Sequence, residues 1–323
     1  MLHILDGAMT AHALEASAVR GERLAWPEMF AEGPAFAGAG TAEQWGQRAD
    51  YLEEHFQVPR DAYVDRVRAL PDQLRAASKH DEVVLWFEDA CWFCQANLLS
   101  LLGGPFAGEL KPAKLSVVLS AERLGAKRAP VELDALFAAR APIGEPLRAL
   151  ASRAWDAYAS PDPTKVEALL LGDFAAWPLL RPGLQAHLER FPSAHNGLNA
   201  IEGQLLRLLA FGPATFGQLF ERLQASPAMR AHGLGDTQVL HYLWTLVKAQ
   251  VPLALPRGPM PTGSLTALRS GSFEITADGR DVLNGTKDHV EMSGVDRWLG
   301  GVELLGKSDM WRWDGVRKEL LRS

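Results

Sequence analysis

The chain has 323 residues, of which 47% are hydrophobic and 22% charged, and its formal net charge is -6. This length can hold more than one folding unit, and the mild acidity argues against a protein that neutralises many phosphates. The two cysteines rule out a disulfide framework. No secretory leader is recognised and no apolar run reaches the ~20 residues that span a bilayer. We therefore expect a reduced, cytoplasmic, bacterial-type protein with no membrane contact.

The first part of the chain alternates apolar runs with amphipathic segments, as α/β domains do. Predicted strands lie at 2–5, 23–26, 82–87 and 114–119, and predicted helices at 9–17, 41–56, 60–78 and 91–102. Thr41 followed by Gln44 has the spacing of a capping box and predicts where the second helix begins. Strands separated by helices usually pair in parallel. We therefore predict an α/β domain over 1–125 with a short, Rossmann-like parallel sheet.

The rest of the chain is predicted to form a helical connector over 126–195 and a second domain over 196–323. Helices are predicted at 148–158, 163–171, 179–191, 200–209, 215–223 and 237–249. A strand pair at 252–255 and 272–276 follows the last three of these helices. Three helices followed by a hairpin indicate a winged-helix-like α+β domain. Two further short strands are predicted around 302–305 and 310–313.

Polar residues follow each predicted strand of the first domain, most clearly after the apolar run 83–87. Ligands of open α/β sheets bind outside the carboxyl ends of the strands. The ligand-binding candidates are therefore Asp6, Gly7, Thr10, Glu32, Glu88, Gln95 and Asn97. Carboxylates gathered in a pocket can bind a cation, accept a hydrogen bond from a hydroxyl group, or act as general acid and base. Alternatively, strand ends are simply where charged residues regain water.

Other motifs give little support for specific chemistry. The chain lacks the glycine-rich dinucleotide fingerprint and the P-loop motif. Cys91 and Cys94 have redox spacing, but Trp92 and Phe93 replace the small residues between such thiols, so we expect buried, unreactive cysteines. A zinc site there would need two more ligands. Tryptophans interleaved with arginines over 297–298 and 311–313 could stack bases, but packing of a small sheet is the favoured interpretation. No catalytic residue, metal ligand or cofactor is assigned.

Several short segments form a specific combination when they are taken together. They are Leu2-His3-Ile4 with Gly7, Glu32-Gly33-Pro34, Leu85-Trp86-Phe87-Glu88, Cys94-Gln95-Ala96-Asn97-Leu98-Leu99, Ser160-Pro161-Asp162-Pro163, Phe191-Pro192-Ser193, Asn196-Gly197-Leu198, Asp296-Arg297-Trp298-Leu299-Gly300-Gly301 and Trp311-Arg312-Trp313-Asp314. By these segments the chain resembles, over nearly its whole length, a bacterial family called domain of unknown function 1835 with its usual C-terminal partner domain. The resemblance implies no activity.

The chain departs from the family pattern at two places beside the candidate site. Family members tend to have Asn-Gly-Asp near the start, where this chain has Asp6-Gly7-Ala8. They also tend to have His-Asp after the strand glutamate, where this chain has Asp89-Ala90. If those polar residues serve a family site, the chain has altered it at Ala8 and Ala90.

Three hypotheses of function follow. The first is a protein, with or without catalysis, that binds a small ligand at the strand ends; by fold analogy we expect a phosphate-bearing or nucleotide-like molecule. The second is a nucleic-acid-associated regulator that uses the winged helix, although the predicted recognition helix at 236–249 carries one lysine and no arginine. The third is a protein-interaction or dimerisation module without catalysis, through which the protein forms homo-oligomers.

Overall fold

The computed structural model describes residues 1–88, 91–120, 124, 128–258 and 265–323, with only the backbone of Glu88. Its strands are β1 Leu2–Leu5, β2 Glu22–Ala25, β3 Gly33–Pro34, β4 Glu82–Glu88, β5 Lys114–Ser120, β6 Ala141–Pro142, β7 Ala214–Thr215, β8 Ala254–Pro256, β9 Ser272–Ile275, β10 Val295–Gly300, β11 Val302–Gly306, β12 Trp311–Asp314 and β13 Glu319–Arg322.

The α-helices are α1 Ala8–Glu15, α2 Ala42–Phe56, α3 Arg60–Ala77, α4 Trp92–Leu102, α5 Pro130–Ala138, α6 Glu145–Tyr158, α7 Thr164–Leu170, α8 Leu180–Leu188, α9 Ala200–Ala210, α10 Phe216–Ala225, α11 Asp236–Lys248, α12 Ala277–Leu283 and α13 His289–Ser293. Short 3-10 helices lie at Pro227–His232 and Leu265–Ser270. Among the described residues, no helix combines the length and the apolar character needed to cross a membrane.

The main sheet has the strand order β2-β1-β4-β5-β6, in which the first four strands are parallel and β6 is antiparallel. Side chains of β4 alternate between two hydrophobic clusters because successive residues of a strand point to opposite faces. Val83, Leu85 and Phe87 pack in one cluster, and Val84 and Trp86 in the other. Helices therefore cover both faces, and the predicted mixed α/β fold with a parallel sheet is confirmed.

A second sheet joins the two ends of the chain. Strand β10 pairs in parallel with the two-residue strand β3 and antiparallel with β11. The join is tight at Gly300, where φ is +66° and an added Cβ would lie 2.2 Å from the Tyr158 carbonyl oxygen. Only glycine fits such a backbone without strain. Neither β3 nor β10 was predicted from the sequence.

The C-terminal elements surround a hydrophobic cluster of their own, formed by residues between 198 and 282. Helices α9, α10 and α11 contribute to it, together with an antiparallel sheet of order β7-β9-β8. Helix α9 begins at Asn199, whose side chain accepts hydrogen bonds from the backbone N–H groups of Ile201 and Glu202. Asn199 is therefore the N-cap of this helix. The domain limits after 125 and 195 remain predictions.

Glu82, at the start of β4, gives the fold a pH-dependent contact. Arg140 donates to both of its carboxylate oxygens, over 2.9 and 3.1 Å, and Ser116 donates to one of them over 2.8 Å. The Arg140 hydrogen bonds lower the pKa of Glu82 to about 2. Because the folded-state pKa lies below the unfolded one, this stabilisation is complete above about pH 4.3 and is lost as the pH falls towards 2.

Glu82→Gln should therefore lower the free energy of unfolding at pH 7 by on the order of 2 kcal/mol. Urea unfolding of both proteins between pH 7 and pH 3 measures this difference, which should shrink across the acid range. Glu303→Gln, at an exposed position of β11, is the control and should show no such pH-dependent gap. A difference between wild type and Glu82→Gln that stayed constant down to pH 3 would contradict the account.

Candidate functional site

The carboxyl ends of β1, β4 and β5 lie side by side, as the sequence predicted. Glu88 is in register with Ser120, and the Asp6 carboxylate accepts a hydrogen bond from the Cys94 thiol over 3.7 Å. The Glu88 side chain lies outside the described part of the chain, as do Asp89 and Ala90. Ligand binding at this edge therefore remains a prediction.

The other candidates on α1 have ordinary backbone surroundings. Gly7 is the N-cap of the helix, with an extended φ of 173°. An added Cβ at this position would meet nothing within 4 Å, so no close approach requires a glycine here. Thr10 is buried in the helix one turn later. Both positions fit a capping turn at the start of a helix.

Glu28 and Glu32 lie in a buried network of ion pairs. Arg48 donates to the Glu28 carboxylate over 3.0 Å and to the Glu32 carbonyl oxygen over 2.7 Å. Arg190 donates to the Glu32 carboxylate over 2.5 Å and to the Tyr242 hydroxyl over 3.1 Å. All five side chains are buried. The network connects distant parts of the chain, and ligand binding by Glu32 remains a prediction.

Gln95 and Asn97 point to different neighbours, because residues two apart lie about 200° apart around a helix. Gln95 packs toward α8, where an added Cβ on Gly183 would lie 3.2 Å from its Cγ. Asn97 accepts a hydrogen bond from the Phe30 N–H over 3.0 Å, and its Nδ2 has no hydrogen-bond partner among the described residues. The two amides thus face separate sides of α4. Their predicted role in ligand binding stays untested.

The two cysteines are buried and are not joined in a disulfide. Cys91 is the N-cap of α4 and accepts from the Cys94 backbone N–H over 3.4 Å. These contacts agree with the interpretation of buried, structural cysteines.

A cavity of about 430 Å³ lies where α2, α11, α13 and β10 meet. Its polar and charged lining residues are Glu54, His55, Glu202, His241, Thr245, Lys248, His289, Ser293, Asp296 and Arg297. None of them was among the candidates predicted for ligand binding. The cavity combines three histidines with both signs of charge, a composition typical of sites that bind polar ligands or metals.

His241 lines the cavity and has a buried ring nitrogen without a hydrogen-bond partner among the described residues. Its Nδ1 lies 3.2 Å from the carbonyl oxygen of His55, and a carbonyl can only accept, so Nδ1 carries the proton. Burial lowers the pKa of His241 well below its usual value, so the ring is neutral at physiological pH. Its Nε2 therefore carries a lone pair, and it has no hydrogen-bond partner among the described residues.

His289 provides a second such group at the start of α13. Its backbone N–H donates to the Asn196 carbonyl over 2.8 Å, while its ring Nδ1 has no hydrogen-bond partner in the described part of the chain. Burial lowers the pKa of this ring as well. A buried polar atom without a partner costs free energy unless something fills that role. His241 and His289 both line this cavity, so it contains two residues with such atoms.

A buried ion pair between Glu202 and Arg297 forms one wall of the cavity. Arg297 Nη2 donates to Glu202 Oε1 over 2.6 Å, and its guanidinium lies 4.9 Å from the centroid of the Tyr242 ring. Burial alone would raise the pKa of Glu202, but Arg297 outweighs it and the pKa is lowered. The second carboxylate oxygen of Glu202 accepts from the Asn199 N–H over 3.0 Å. This wall is therefore fixed by the helix cap.

Glu54, His55 and Asp296 meet at the mouth of the cavity. Each offers one ligand atom, and these atoms all lie within 4.8 Å of one another. His55 is held by stacking on Tyr51, with ring centroids 4.2 Å apart. Burial lowers the pKa of His55 although Asp296 opposes the shift, so the imidazole is neutral at physiological pH. The group has the donor types of a divalent-cation site.

The charged residues around the cavity do not cancel. Three carboxylates, Glu54, Glu202 and Asp296, face two cations, Lys248 and Arg297, so with neutral histidines the lining carries a net charge of −1. Glu202 is paired with Arg297, so the excess negative charge lies at the mouth of the cavity. The mouth therefore favours a cation.

Comparison with known proteins gives no independent guide to the site. No protein-family model matches the chain, and no curated protein matches it. The resemblance to the domain of unknown function 1835 therefore stays a prediction. The assignment of a site has to rest on the geometry and chemistry of the cavity.

Proposed function

We propose that the protein binds a small polar ligand in the cavity between α2, α11, α13 and β10. The observation that carries the proposal is the Nε2 of His241, a buried lone-pair nitrogen without a hydrogen-bond partner among the described residues. The orphaned Nδ1 of His289 in the same lining supports it. A ligand that bonds to both atoms would remove two desolvation penalties at once.

The ligand class that we propose is a nucleotide-like molecule. Trp244 lines the cavity, and the Lys248 ammonium lies over its ring, 4.9 Å from the centroid. Bases stack on aromatic rings, and a lysine can bind a phosphate as a point charge. The phosphate-bearing ligand expected from the sequence would thus bind in this cavity and not at the strand ends of the main sheet.

We further propose that the C-terminal part is winged-helix-like and serves to build this site. The order helix α9, strand β7, helices α10 and α11, then strands β8 and β9 supports the assignment. Lys248 is the only exposed residue of α11, because the helix is covered by other elements. A helix that reads DNA must present a face to the major groove. The burial of α11 favours a scaffold role over the regulator hypothesis.

Binding of AMP tests the proposal. Adenosine and inorganic phosphate, the two parts of AMP, are tested separately. Saturation-transfer NMR on the full chain, with EDTA present, should show transfer to the adenine protons. His241→Phe keeps the ring and removes the lone pair, and should weaken binding at least tenfold, which is about 1.4 kcal/mol. His187→Phe is the matched control, because His187 is also buried with an unpartnered Nδ1 among the described residues but does not line the cavity.

The cavity is supported as the site if AMP binds to wild type and to His187→Phe but not to His241→Phe. Two results would overturn the proposal: no transfer to AMP or adenosine at millimolar concentration, or equal binding by wild type and His241→Phe. Urea unfolding of both variants establishes that they are folded under the assay conditions.

A further inference from the structure

We infer that Glu54, His55 and Asp296 form a binding site for a first-row divalent metal ion at the mouth of the cavity. The inference deepens the proposed function and rests on the same cavity, although the metal site can be tested without any organic ligand. One imidazole and two carboxylates suit ions such as Mn²⁺, Fe²⁺, Co²⁺ and Zn²⁺ better than they suit Ca²⁺, which prefers oxygen ligands alone.

The geometry of the three side chains fits a shared ion after a small adjustment. Ligand atoms bound at about 2.0–2.2 Å lie at most about 4.4 Å from one another. The donors of the group lie within 4.8 Å, so a movement of a few tenths of an ångström closes the site. Glu54 and Asp296 are exposed and free to make that rotamer adjustment, while His55 is held against Tyr51.

The backbone around the site also favours a cation. Glu54 and His55 lie in the last turn of the 15-residue helix α2, which ends at Gln57 in the left-handed conformation. The carbonyl groups at a helix C-terminus carry partial negative charge and attract cations. Asp296 approaches from β10, so the ion would bridge α2 and β10. A metal here would tie together elements that are about 240 residues apart in the chain.

His241 is the second observation that points to a ligand at this place. It is 2% exposed and lines the same cavity, and its ring centroid lies 5.6 Å from that of His55. Its Nδ1–H donates to a backbone carbonyl, the arrangement that orients metal-binding histidines and leaves Nε2 as the lone-pair nitrogen. It lies outside the group of three donors, so we assign it to the ligand or water that completes the coordination of the ion.

A bound metal would also reverse the charge that a phosphate meets in the cavity. The lining carries a surplus of one negative charge, which a divalent cation would turn into a surplus of one positive charge. Three protein ligands leave coordination positions open, as in catalytic metal sites. The metal would thus serve as the anchor for the phosphate of a nucleotide-like ligand, and AMP should bind at least tenfold more tightly with one equivalent of ZnCl₂ than in EDTA.

Titration of the full apo-protein with CoCl₂, in the absence of any nucleotide, tests the site. We expect one Co²⁺ to bind per chain, as measured by visible absorption and isothermal titration calorimetry. ZnCl₂ should displace the bound Co²⁺. Asp296→Asn and Glu54→Gln should each weaken Co²⁺ binding at least tenfold. Asp61→Asn is the control, because Asp61 is an exposed carboxylate at the start of α3 and should leave the affinity unchanged.

The inference is overturned if wild type binds no Co²⁺ stoichiometrically, or if Asp296→Asn and Glu54→Gln bind it as tightly as wild type. The two proposals fail separately. AMP binding in EDTA without a Co²⁺ site would remove the metal and leave the ligand cavity. A Co²⁺ site sensitive to Asp296→Asn, without binding of AMP or adenosine, would remove the nucleotide-like ligand and leave the metal site.

Discussion

Arg48→Met should lower the free energy of unfolding by about 3–5 kcal/mol, because it leaves the Glu28 charge buried without its partner. Arg48 is fully buried and donates to the Tyr63 hydroxyl, the Glu28 carboxylate and two backbone carbonyls. Methionine fills much of the space but cannot donate to any of them. Urea unfolding followed by tryptophan fluorescence measures the loss.

The contribution of the buried charge can be separated from that of packing. Arg48→Met combined with Glu28→Gln removes both charges, so the double variant should be more stable than Arg48→Met alone. Arg60→Met is the matched control, since Arg60 pairs with Asp50 at an exposed position and should change stability little. A loss for Arg48→Met no larger than that for Arg60→Met would refute the structural role of the network.

Glu32→Gln is expected to lower the free energy of unfolding by on the order of 3 kcal/mol, because the Arg190 guanidinium then lies buried without a counter-charge. Arg190 donates to Glu32, to the carbonyl of Ala31 and to Tyr242. These bonds connect the segment after β2 to α11, so the loss should appear in the stability of the whole chain. Urea unfolding at pH 7 is again the measurement.

This variant also separates two interpretations of Glu32. If the carboxylate is structural, Arg190→Met should lower the free energy of unfolding by a similar amount. The double variant, which combines Arg190→Met with Glu32→Gln, should then lose less free energy of unfolding than the two single variants lose together. If Glu32 instead serves only to bind a ligand, Glu32→Gln would leave the unfolding curve in place. Glu319→Gln, at an exposed position of β13, provides the comparison for loss of an ordinary surface charge.

Local features of the fold could be predicted from the sequence because local physics determines them. The run 83–87 is uniformly apolar and forms a strand with both faces buried. Thr41 and Gln44 form the capping box that their spacing predicted. Helix and strand limits follow from such patterns, since each depends on residues that are neighbours in the chain.

The second sheet and the cavity depend on contacts between distant residues, and the sequence carried little signal for them. Strand β3 has two residues, too few to show a period, and its partner β10 lies near the other end of the chain. His55 and His241 meet across a separation of 186 residues. A single sequence gives no reason to pair these two histidines, whereas the strand-end rule directed attention to the main sheet.

Residue type alone does not show whether a carboxylate binds a ligand. Glu32, a predicted binding residue, and its neighbour Glu28 each have a buried arginine as partner. The histidines of the cavity have the opposite character: His241 and His289 each keep a buried ring nitrogen without a hydrogen-bond partner among the described residues. An unsatisfied buried atom can be recognised only when its surroundings are known.

A crystal structure of the full chain grown with ZnCl₂ and AMP would show whether this cavity binds both the metal and the nucleotide. We predict a zinc ion bound by Glu54, His55 and Asp296, with an AMP molecule in the cavity within hydrogen-bond distance of the His241 Nε2. Anomalous scattering at the zinc edge identifies the ion. A cavity that holds only solvent under these conditions, with zinc or AMP bound elsewhere, would contradict the assignment of this cavity as the functional site.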